Sequence, residues 1–222
     1  MSGALPAPGT AAYRDGERSR PALVWRFDQP MLAVASTPLG GGIGTRHWIV
    51  NAQVALDYAR TDLEAHLAAI GAELGCVGAG VGFLTAAAID DVTSAVDGAV
   101  AAYATVGLRH PTLAAAPDDG PPDSAVGTVN IVVGVPVRLT QSALVNAVIT
   151  CTEAKTQALR DRGVPATGTA SDAVCVVCPA VGPAEQFAGP RAPVGARIAR
   201  AVHAAVGRGT VAEWAADRDP GS

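Results

Sequence analysis

Strand-like and helix-like segments follow one another in an irregular order along this sequence. Regular alternation of strands and helices predicts a parallel sheet, and that alternation is not seen here. The sequence therefore predicts an α+β fold, with a mixed or mostly antiparallel sheet and helices packed on it. We expect strands at 22–27, 31–36, 47–54, 78–87, 98–107, 127–135 and 173–178, and helices at 62–74, 140–162 and 194–206.

Local signals set several of these boundaries. Asp28-Gln29-Pro30, between two apolar runs, is typical of a hairpin turn. Thr61 and Glu64 match a capping box, which predicts the start of the first helix. Thr140 is a plausible N-cap for the second helix, and Gly163 with Pro165 predicts its end.

The length of 222 residues and the absence of an obvious linker favour one domain. With 49% hydrophobic and 16% charged residues, the chain is typical of a globular protein. Residues 1–21 are rich in Gly, Pro, Ala and Arg and predict a disordered tail. We therefore expect a domain at 22–208, followed by a C-terminal tail at 209–222.

Charge and hydropathy argue against several classes of partner. A net charge of −4 and a pI near 5.5 give no electrostatic attraction to nucleic acid or to an anionic membrane. The longest apolar runs are too short and too glycine-rich to cross a bilayer, and the N-terminus has no signal-like pattern. The sequence predicts a cytoplasmic protein, and it is compatible with a homo-oligomer.

Cysteine and histidine do not form a recognisable metal site. Cys175 and Cys178 form a CxxC, but they fall on a predicted buried strand, where positions three apart face opposite ways. We interpret them as reduced core thiols. The four histidines are scattered, and only His110, on a loop before Pro111, is kept as a candidate acid or base.

The helix predicted at 140–162 carries a polar stripe. Asn146, Thr150, Glu153 and Gln157 fall at spacings that place them on one side of a helix. A stripe of amides and hydroxyls with a single carboxylate indicates a semi-buried polar surface. This surface either forms part of a site or packs against turns.

Lys155, on the same helix, is the only lysine in a chain with 15 arginines. It either marks a site that needs a compact, titratable amine or is an exposed helix residue. It lies about 200° from Glu153 around an ideal helix, so the two cannot both face one pocket. Because Glu153 belongs to the polar stripe, the pattern favours Glu153.

A glycine-rich segment at 37–47 contains Gly41, Gly42 and Arg46. Its backbone can approach a ligand closely, and Arg46 is placed to meet an anion or a carbonyl. It matches neither a P-loop nor a dinucleotide fingerprint, so a purely structural turn is the alternative.

Several short motifs in order resemble the adenosylcobinamide amidohydrolase family of corrinoid-salvage enzymes. They cover roughly residues 32–206 and include Leu39-Gly40-Gly41-Gly42, Ile49-Val50-Asn51, Val81-Gly82-Phe83-Leu84-Thr85, His110-Pro111-Thr112, Gly127-Thr128-Val129-Asn130, Thr152-Glu153-Ala154-Lys155, Gly168-Thr169-Ala170-Ser171-Asp172 and Phe187-Ala188-Gly189-Pro190. The family's Thr-Gly-Thr-Asp is replaced here by Thr169-Ala170-Ser171-Asp172. The resemblance implies hydrolysis of the amide between the corrin propionyl side chain and aminopropanol, with the corrinoid as substrate and no separate cofactor.

The resemblance and the residue types together give a mechanistic hypothesis. Glu153 or Asp172 activates water or a threonine hydroxyl, Thr128 and Asn130 line the oxyanion position, and Lys155 or His110 protonates the leaving amine. The candidate substrate-binding residues are Gly41, Gly42, Arg46, Asn51, Asn130, Asn146, Thr150, Gly168 and Thr169. Two alternatives stay open: a non-catalytic corrinoid or small-molecule binding module, and an amidase that uses Thr128 as nucleophile on another amide.

Overall fold

The protein contains ten strands and three helices in the part of the chain that its structure, a computed structural model, describes, which is residues 5–117 and 127–216. In chain order the elements are β1 (Gly9–Asp15), β2 (Arg18–Ala35), β3 (Gly42–Gln53), α1 (Leu63–Glu73), β4 (Gly80–Thr85), β5 (Thr93–Asp97), β6 (Val100–Gly107), β7 (Thr128–Gly134), β8 (Arg138–Leu139), α2 (Gln141–Asp161), β9 (Ala173–Pro179), β10 (Ala184–Glu185) and α3 (Pro193–Ala216).

Eight of the strands form one sheet. Its order is β4-β3-β2-β9-β7-β6-β5, and β1 pairs with β2. The pairs β3–β4 and β7–β9 are parallel and the remaining pairs of this sheet are antiparallel. This mixed, mostly antiparallel sheet with packed helices confirms the predicted α+β class. β8 and β10 form a separate two-stranded parallel pair.

The sheet curls so that its inner face closes on itself. The side chain of Asn130 on β7 hydrogen-bonds to Asn51 on β3, although β2 and β9 lie between these strands in the sheet order. Apolar residues of the same inner face form one core, which includes Ile49, Phe83 and Val132. Polar side chains that follow these residues toward one end of the strands are thereby gathered into a small space.

Helices cover the outer face of the curled sheet. The alternate residues of β6, β7 and β9 form a second core with α2 and α3. A third, smaller core lies on the outer side of β3, where Ile70 of α1 packs with Trp48 and Val50. Since side chains alternate along a strand, each strand contributes one set of residues to the interior and one to a helix layer.

Most predicted elements are found close to their expected positions. The helix at 62–74 is α1 and the helix at 140–162 is α2. The strands at 78–87, 98–107, 127–135 and 173–178 correspond to β4, β6, β7 and β9. The N-cap prediction at Thr140 is confirmed, because its hydroxyl oxygen accepts a hydrogen bond from the backbone N–H of Ala143 at 3.2 Å.

Two local predictions are wrong. The two runs at 22–36 are not a hairpin but one long strand, β2, whose pairing with β3 is irregular between Arg26 and Met31. The irregular stretch accommodates Pro30, which cannot donate to the ladder. The capping box also fails to form, since α1 begins after Asp62 without a side-chain cap.

The predicted tails are also corrected where the structure describes them. Residues 9–15 form β1, and Tyr13 on this strand is only 1% exposed. The last helix continues to Ala216, so residues 209–216 are helical rather than a tail. Residues 1–4 and 217–222 lie outside the described part.

Candidate functional site

A cleft opens where β3, β4 and β7 reach one end of the curled sheet. It consists of two adjoining cavities of about 570 and 260 Å³. Five residues line both cavities: Val54, Ala55, Leu56, Ala86 and Thr128. The larger cavity also has arginine and aspartate side chains at its edge, namely Arg18, Arg20, Arg109, Asp57 and Asp91. The smaller one is mostly apolar, and its polar lining residues are Tyr58, Arg60, Thr85, Thr128, Asn130 and Ser171.

Two hydroxyl groups lie together at the junction of the two cavities. Thr128 Oγ1 and Ser171 Oγ are 2.7 Å apart, and Ser171 Oγ also donates to the carbonyl of Gly127 at 3.1 Å. Because a carbonyl can only accept, the arrangement that satisfies both contacts directs the Ser171 proton to Gly127 and the Thr128 proton to Ser171. The lone pairs of Thr128 Oγ1 are therefore free toward the cleft.

The carboxylate of Asp172 anchors the loop behind this hydroxyl pair. It accepts hydrogen bonds from the backbone N–H groups of Val129, at 2.9 Å, and Thr169, at 3.1 Å. The Thr169 hydroxyl and the Lys155 ammonium also donate to it. A carboxylate has about four acceptor positions, and these four donors fill them. Asp172 thus joins α2, the 167–172 loop and the start of β7.

Lys155 reaches Asp172 from α2. The two side chains form a salt bridge in which they are 9% and 12% exposed. A Cβ on Gly168 would collide with both charged groups, so only glycine fits there. Glu153, in contrast, is exposed on α2. The sequence pattern favours Glu153 as the candidate, but it is Lys155 that reaches this loop, because Glu153 lies on the exposed side of α2.

A chain of amide side chains runs from the cleft into the sheet interior. Asn130 Nδ2 donates to Asn51 Oδ1 at 3.0 Å and to the backbone carbonyl of Leu84 at 2.8 Å. Asn51 Nδ2 donates to Thr105 Oγ1 at 3.0 Å. The sequence grouped Asn51 and Asn130 as binding residues, and the structure brings them together. Thr128 and Asn130, two positions apart on β7, lie on the same face of the strand and both line the smaller cavity.

Tyr58, which lines the smaller cavity and which the sequence does not predict as a site residue, packs against His66 of α1. Tyr58 Oη and His66 Nδ1 are 2.7 Å apart and the rings stack, with centroids 5.6 Å apart. Burial lowers the pKa of His66, so the ring is neutral and accepts the Tyr58 proton. Tyr58 and His66 are eight residues apart, on either side of the start of α1. This short separation in the chain is the only feature of the sequence that relates them.

Ser171 was noted in the sequence only as a substitution in a family motif. The structure shows that it keeps a hydroxyl at the cleft, where it lines the smaller cavity. The hydroxyl-for-hydroxyl replacement of Thr by Ser therefore preserves the partner of Thr128.

The other binding candidates lie away from the cleft. Arg46 donates to the Gly40 carbonyl at 2.8 and 3.2 Å, so it meets a backbone carbonyl. Gly41, in the turn before β3, and Gly42, the first residue of β3, are both exposed. Asn146 Oδ1 accepts a hydrogen bond from the backbone N–H of Ala188, and the Thr150 hydroxyl donates one to the backbone carbonyl of Ala188.

These contacts decide between the two interpretations of the polar stripe on α2. Asn146 and Thr150 hold the segment that contains Ala188, so this part of the stripe packs against a turn. Gln157, like Glu153, is exposed. The stripe is therefore not a wall of the cleft.

His110 lies at the edge of the site. It is half-buried, and its backbone packs close to Gly127. The next residues continue into a short pairing in which the N–H of Thr112 donates to the Gly168 carbonyl at 2.8 Å. This pairing brings two of the sequence motifs together. Residues 118–126 of the same long loop lie outside the described part.

The cysteines behave as core residues. All four are free thiols, and Cys175 and Cys178 are fully buried on β9. They point to different cores, one inside the sheet and one under the helices. Burial raises the pKa of Cys175 to about 12 and also raises the pKa of Cys178, so both stay protonated.

An apolar pocket with a few convergent hydroxyl and amide groups, opening from the interior of an α+β sheet, is typical of a site for a small molecule. The comparison with protein families shows to which family the chain belongs. The chain belongs to the adenosylcobinamide amidohydrolase family, whose model matches residues 7–217. It is therefore an amidohydrolase, an enzyme that acts on an amide bond.

Two relatives that bear the family's name agree with this assignment. An adenosylcobinamide amidohydrolase of Methanosarcina mazei is 31% identical over 176 residues, which cover 75% of this chain and 84% of the relative. One from Halobacterium salinarum is 40% identical over 129 residues, covering 55% of each chain. The crystal structure of the PH0078 protein from Pyrococcus horikoshii OT3 aligns with a TM-score of 0.48 at 12% identity, covering 93% of this chain and 83% of that one. Within the described residues, no helix is both long enough and apolar enough to cross a membrane.

Proposed function

We propose that this enzyme hydrolyses the aminopropanol amide of adenosylcobinamide and releases adenosylcobyric acid for corrinoid salvage in the cytoplasm. Water is added across the C–N bond, so that the corrin propionyl group leaves as the acid and aminopropanol as the amine. Membership of the family and the names of two relatives support the substrate. The hydroxyl pair at the junction of the two cavities carries the proposal for the site.

Thr128 is the proposed nucleophile, acting directly or by holding the attacking water. Its oxygen has lone pairs directed to the cleft, and it lines both cavities, so a substrate bound in either half meets it. Attack of the hydroxyl or water on the amide carbon forms a tetrahedral intermediate and releases the proton of the attacking group. The intermediate collapses when this proton is passed to the leaving nitrogen, and water then hydrolyses any acyl group left on Thr128. His110, on the loop beside Gly127, is the proposed group that takes up the proton and donates it to the nitrogen.

Lys155 and Asp172 are proposed as positioning residues rather than as acid and base. The Asp172 carboxylate already accepts four hydrogen bonds, so it has no free position for a substrate or water proton. Through Thr169 and the backbone of Val129, the pair fixes the loop that carries Ser171 against the strand that carries Thr128.

The reaction is tested by incubating the purified protein with adenosylcobinamide and measuring the acid product by mass. We expect the acid and free aminopropanol with the wild-type protein. Thr128→Val removes the hydroxyl at almost constant volume and should lower kcat by about 100-fold or more. Thr152→Val, on the exposed side of α2, is the matched control and should leave the rate unchanged.

The outcomes separate the parts of the proposal. Absence of acid product with the wild-type protein would contradict the substrate. Full activity of Thr128→Val would contradict the site. An acyl group trapped on Thr128, detected as a mass increase on its peptide, would identify the hydroxyl rather than water as the attacking group. If another amide were cleaved in the same way, the enzyme would be an amidase with a different substrate.

A further inference from the structure

We propose that the side-chain oxygen of Asn130 accepts a hydrogen bond from the N–H of the amide that is cleaved, and so selects amides over esters. This inference rests on the proposed function and adds a specificity-determining contact to it. It follows from the way in which the hydrogen-bond network fixes the orientation of the Asn130 side chain.

A backbone carbonyl settles which end of the Asn130 amide faces the protein. The Asn130 atom at 2.8 Å from the Leu84 carbonyl must be the nitrogen, because an oxygen there would face another acceptor. The second proton of the same nitrogen is donated to Asn51 Oδ1 at 3.0 Å. Both Asn130 N–H groups are therefore used inside the protein.

The remaining polar atom of this side chain is Oδ1. Asn130 is 98% buried, yet it lines the smaller cavity of the cleft. Among the described residues, none donates a hydrogen bond to Oδ1, and this atom is not among the fully enclosed polar atoms that lack a partner. Oδ1 therefore faces the cavity as a free acceptor. A buried acceptor of this kind favours a ligand that supplies a donor.

This orientation changes the role that the sequence suggested for Asn130. A group that stabilises an oxyanion must donate a hydrogen bond, and Asn130 has no proton left to donate into the cleft. It can only accept. The expectation that Asn130 lines the oxyanion position is therefore replaced by a contact to the nitrogen side of the scissile bond.

The position of Asn130 relative to Thr128 fits such a contact. The two residues are separated by one position on β7 and share its inner face, so their Cα atoms are about 7 Å apart. An amide between them can present its carbonyl carbon to the Thr128 hydroxyl and its N–H to Asn130 Oδ1. An ester in the same place would present oxygen lone pairs to Oδ1, which is repulsive.

The test compares adenosylcobinamide with the analogue in which oxygen replaces the aminopropanol nitrogen, so that an ester replaces the amide. The measured quantity is the ratio of kcat/KM for the amide to kcat/KM for the ester. We expect this ratio to be roughly 10- to 100-fold lower in Asn130→Ala than in the wild-type protein, because the variant lacks the acceptor. Asn130→Ser, which is smaller and polar, provides the same comparison if the alanine variant does not fold.

Thr105→Val is the matched control. It removes the acceptor of Asn51 at the far end of the same network and leaves Asn130 Oδ1 in place. A lower overall rate in Thr105→Val is compatible with the inference, because the substitution weakens the network. Its amide-to-ester ratio of kcat/KM should equal that of the wild type. A purely structural role of Asn130 would give all three variants the wild-type ratio.

The results distinguish this inference from the proposed function. If the wild-type protein cleaves adenosylcobinamide but the ratio is unchanged in the Asn130 variants, the acceptor role is overturned while the reaction stands. If the wild type does not cleave the amide at all, the proposed function fails, and this inference fails with it.

Discussion

Lys155 shows how a single charged residue can support a site without reaching the substrate cleft. Its ammonium group is buried against Asp172, whose carboxylate also ties the 167–172 loop to β7. A buried ion pair of this kind contributes little net stability compared with apolar packing, but removing one partner leaves an uncompensated charge. Its effect on function is therefore expected through the geometry of Thr128 and Ser171.

Substitutions on α2 can separate this positioning role from a catalytic one. Lys155→Met should destabilise the protein by about 3 kcal/mol, because it leaves the Asp172 carboxylate buried without its cation. Glu153→Gln should change neither stability nor activity, since Glu153 is exposed. Urea unfolding followed by tryptophan fluorescence, together with the rate of acid formation, provides both measurements.

The results for these two variants distinguish a positioning role of Lys155 from a catalytic role of Glu153. Loss of activity in Glu153→Gln with unchanged stability would show that the exposed carboxylate acts in catalysis after all. Wild-type stability of Lys155→Met would show that the salt bridge does not hold the loop. The sequence could not make this distinction, because the periodicity of α2 gives the angle between Glu153 and Lys155 but not which of them faces the sheet.

Secondary structure was largely predictable because most segments carry strong local signals. Buried strands such as β7 and β9 are continuous apolar runs, and α2 has a capping residue and a glycine stop. Asp28-Gln29-Pro30 consists of turn-forming residues, so the local sequence predicts a hairpin within β2. The strand continues through this stretch because its two halves pair with β3 on either side of an irregularity.

Local sequence patterns do not predict the curl of the sheet or the cleft that this curl forms. The contact of Asn130 with Asn51 joins residues 79 apart in the chain, on strands that are not neighbours in the sheet. No periodicity encodes such a contact. The family resemblance placed both asparagines in one set of candidates, but only the structure shows that one orients the other.

The α1 region gives the protein a predictable response to pH. Burial lowers the pKa of His66 below its ordinary value of 6.5. Between the two pKa values the unfolded chain binds more protons than the folded protein, so the free energy of unfolding increases with pH. Wild-type stability should therefore fall as the pH drops through about 6.5.

His66→Gln should remove this contribution, so that the stability difference between wild type and variant becomes smaller or reverses as the pH falls. Tyr58→Phe is the matched control: it removes the hydrogen bond to His66 but keeps the stacked ring, and burial is the larger cause of the shift. It should retain the pH dependence. Urea midpoints measured at several pH values test this, and parallel curves for wild type and His66→Gln would contradict it.

Three cores, rather than one, hold the molecule together. One fills the inside of the curled sheet, one lies under α2 and α3, and one lies under α1. The N-terminal segment takes part in two of them, because Leu5 belongs to the inner core and Tyr13 to the core under α1. The composition of this segment predicts a disordered tail. The prediction fails because β1 pairs only with β2, and a strand held along one edge needs few apolar residues of its own.

Adjacent substitutions on β1 test whether this strand is an integral part of the fold. Tyr13 is 1% exposed and its hydroxyl donates to the Gln53 carbonyl at 2.8 Å, so Tyr13→Ala should cost roughly 3 kcal/mol or more of unfolding free energy. Arg14 is exposed, and its contact with Glu73 uses the backbone N–H, which Arg14→Ala retains. The second variant should therefore unfold at nearly the wild-type urea concentration. Because Gln53 also lines the larger cavity of the cleft, Tyr13→Ala should raise KM as well as lower stability. Equal midpoints for the two variants would mean that β1 adds nothing to the cooperative unit, and that the domain begins at β2.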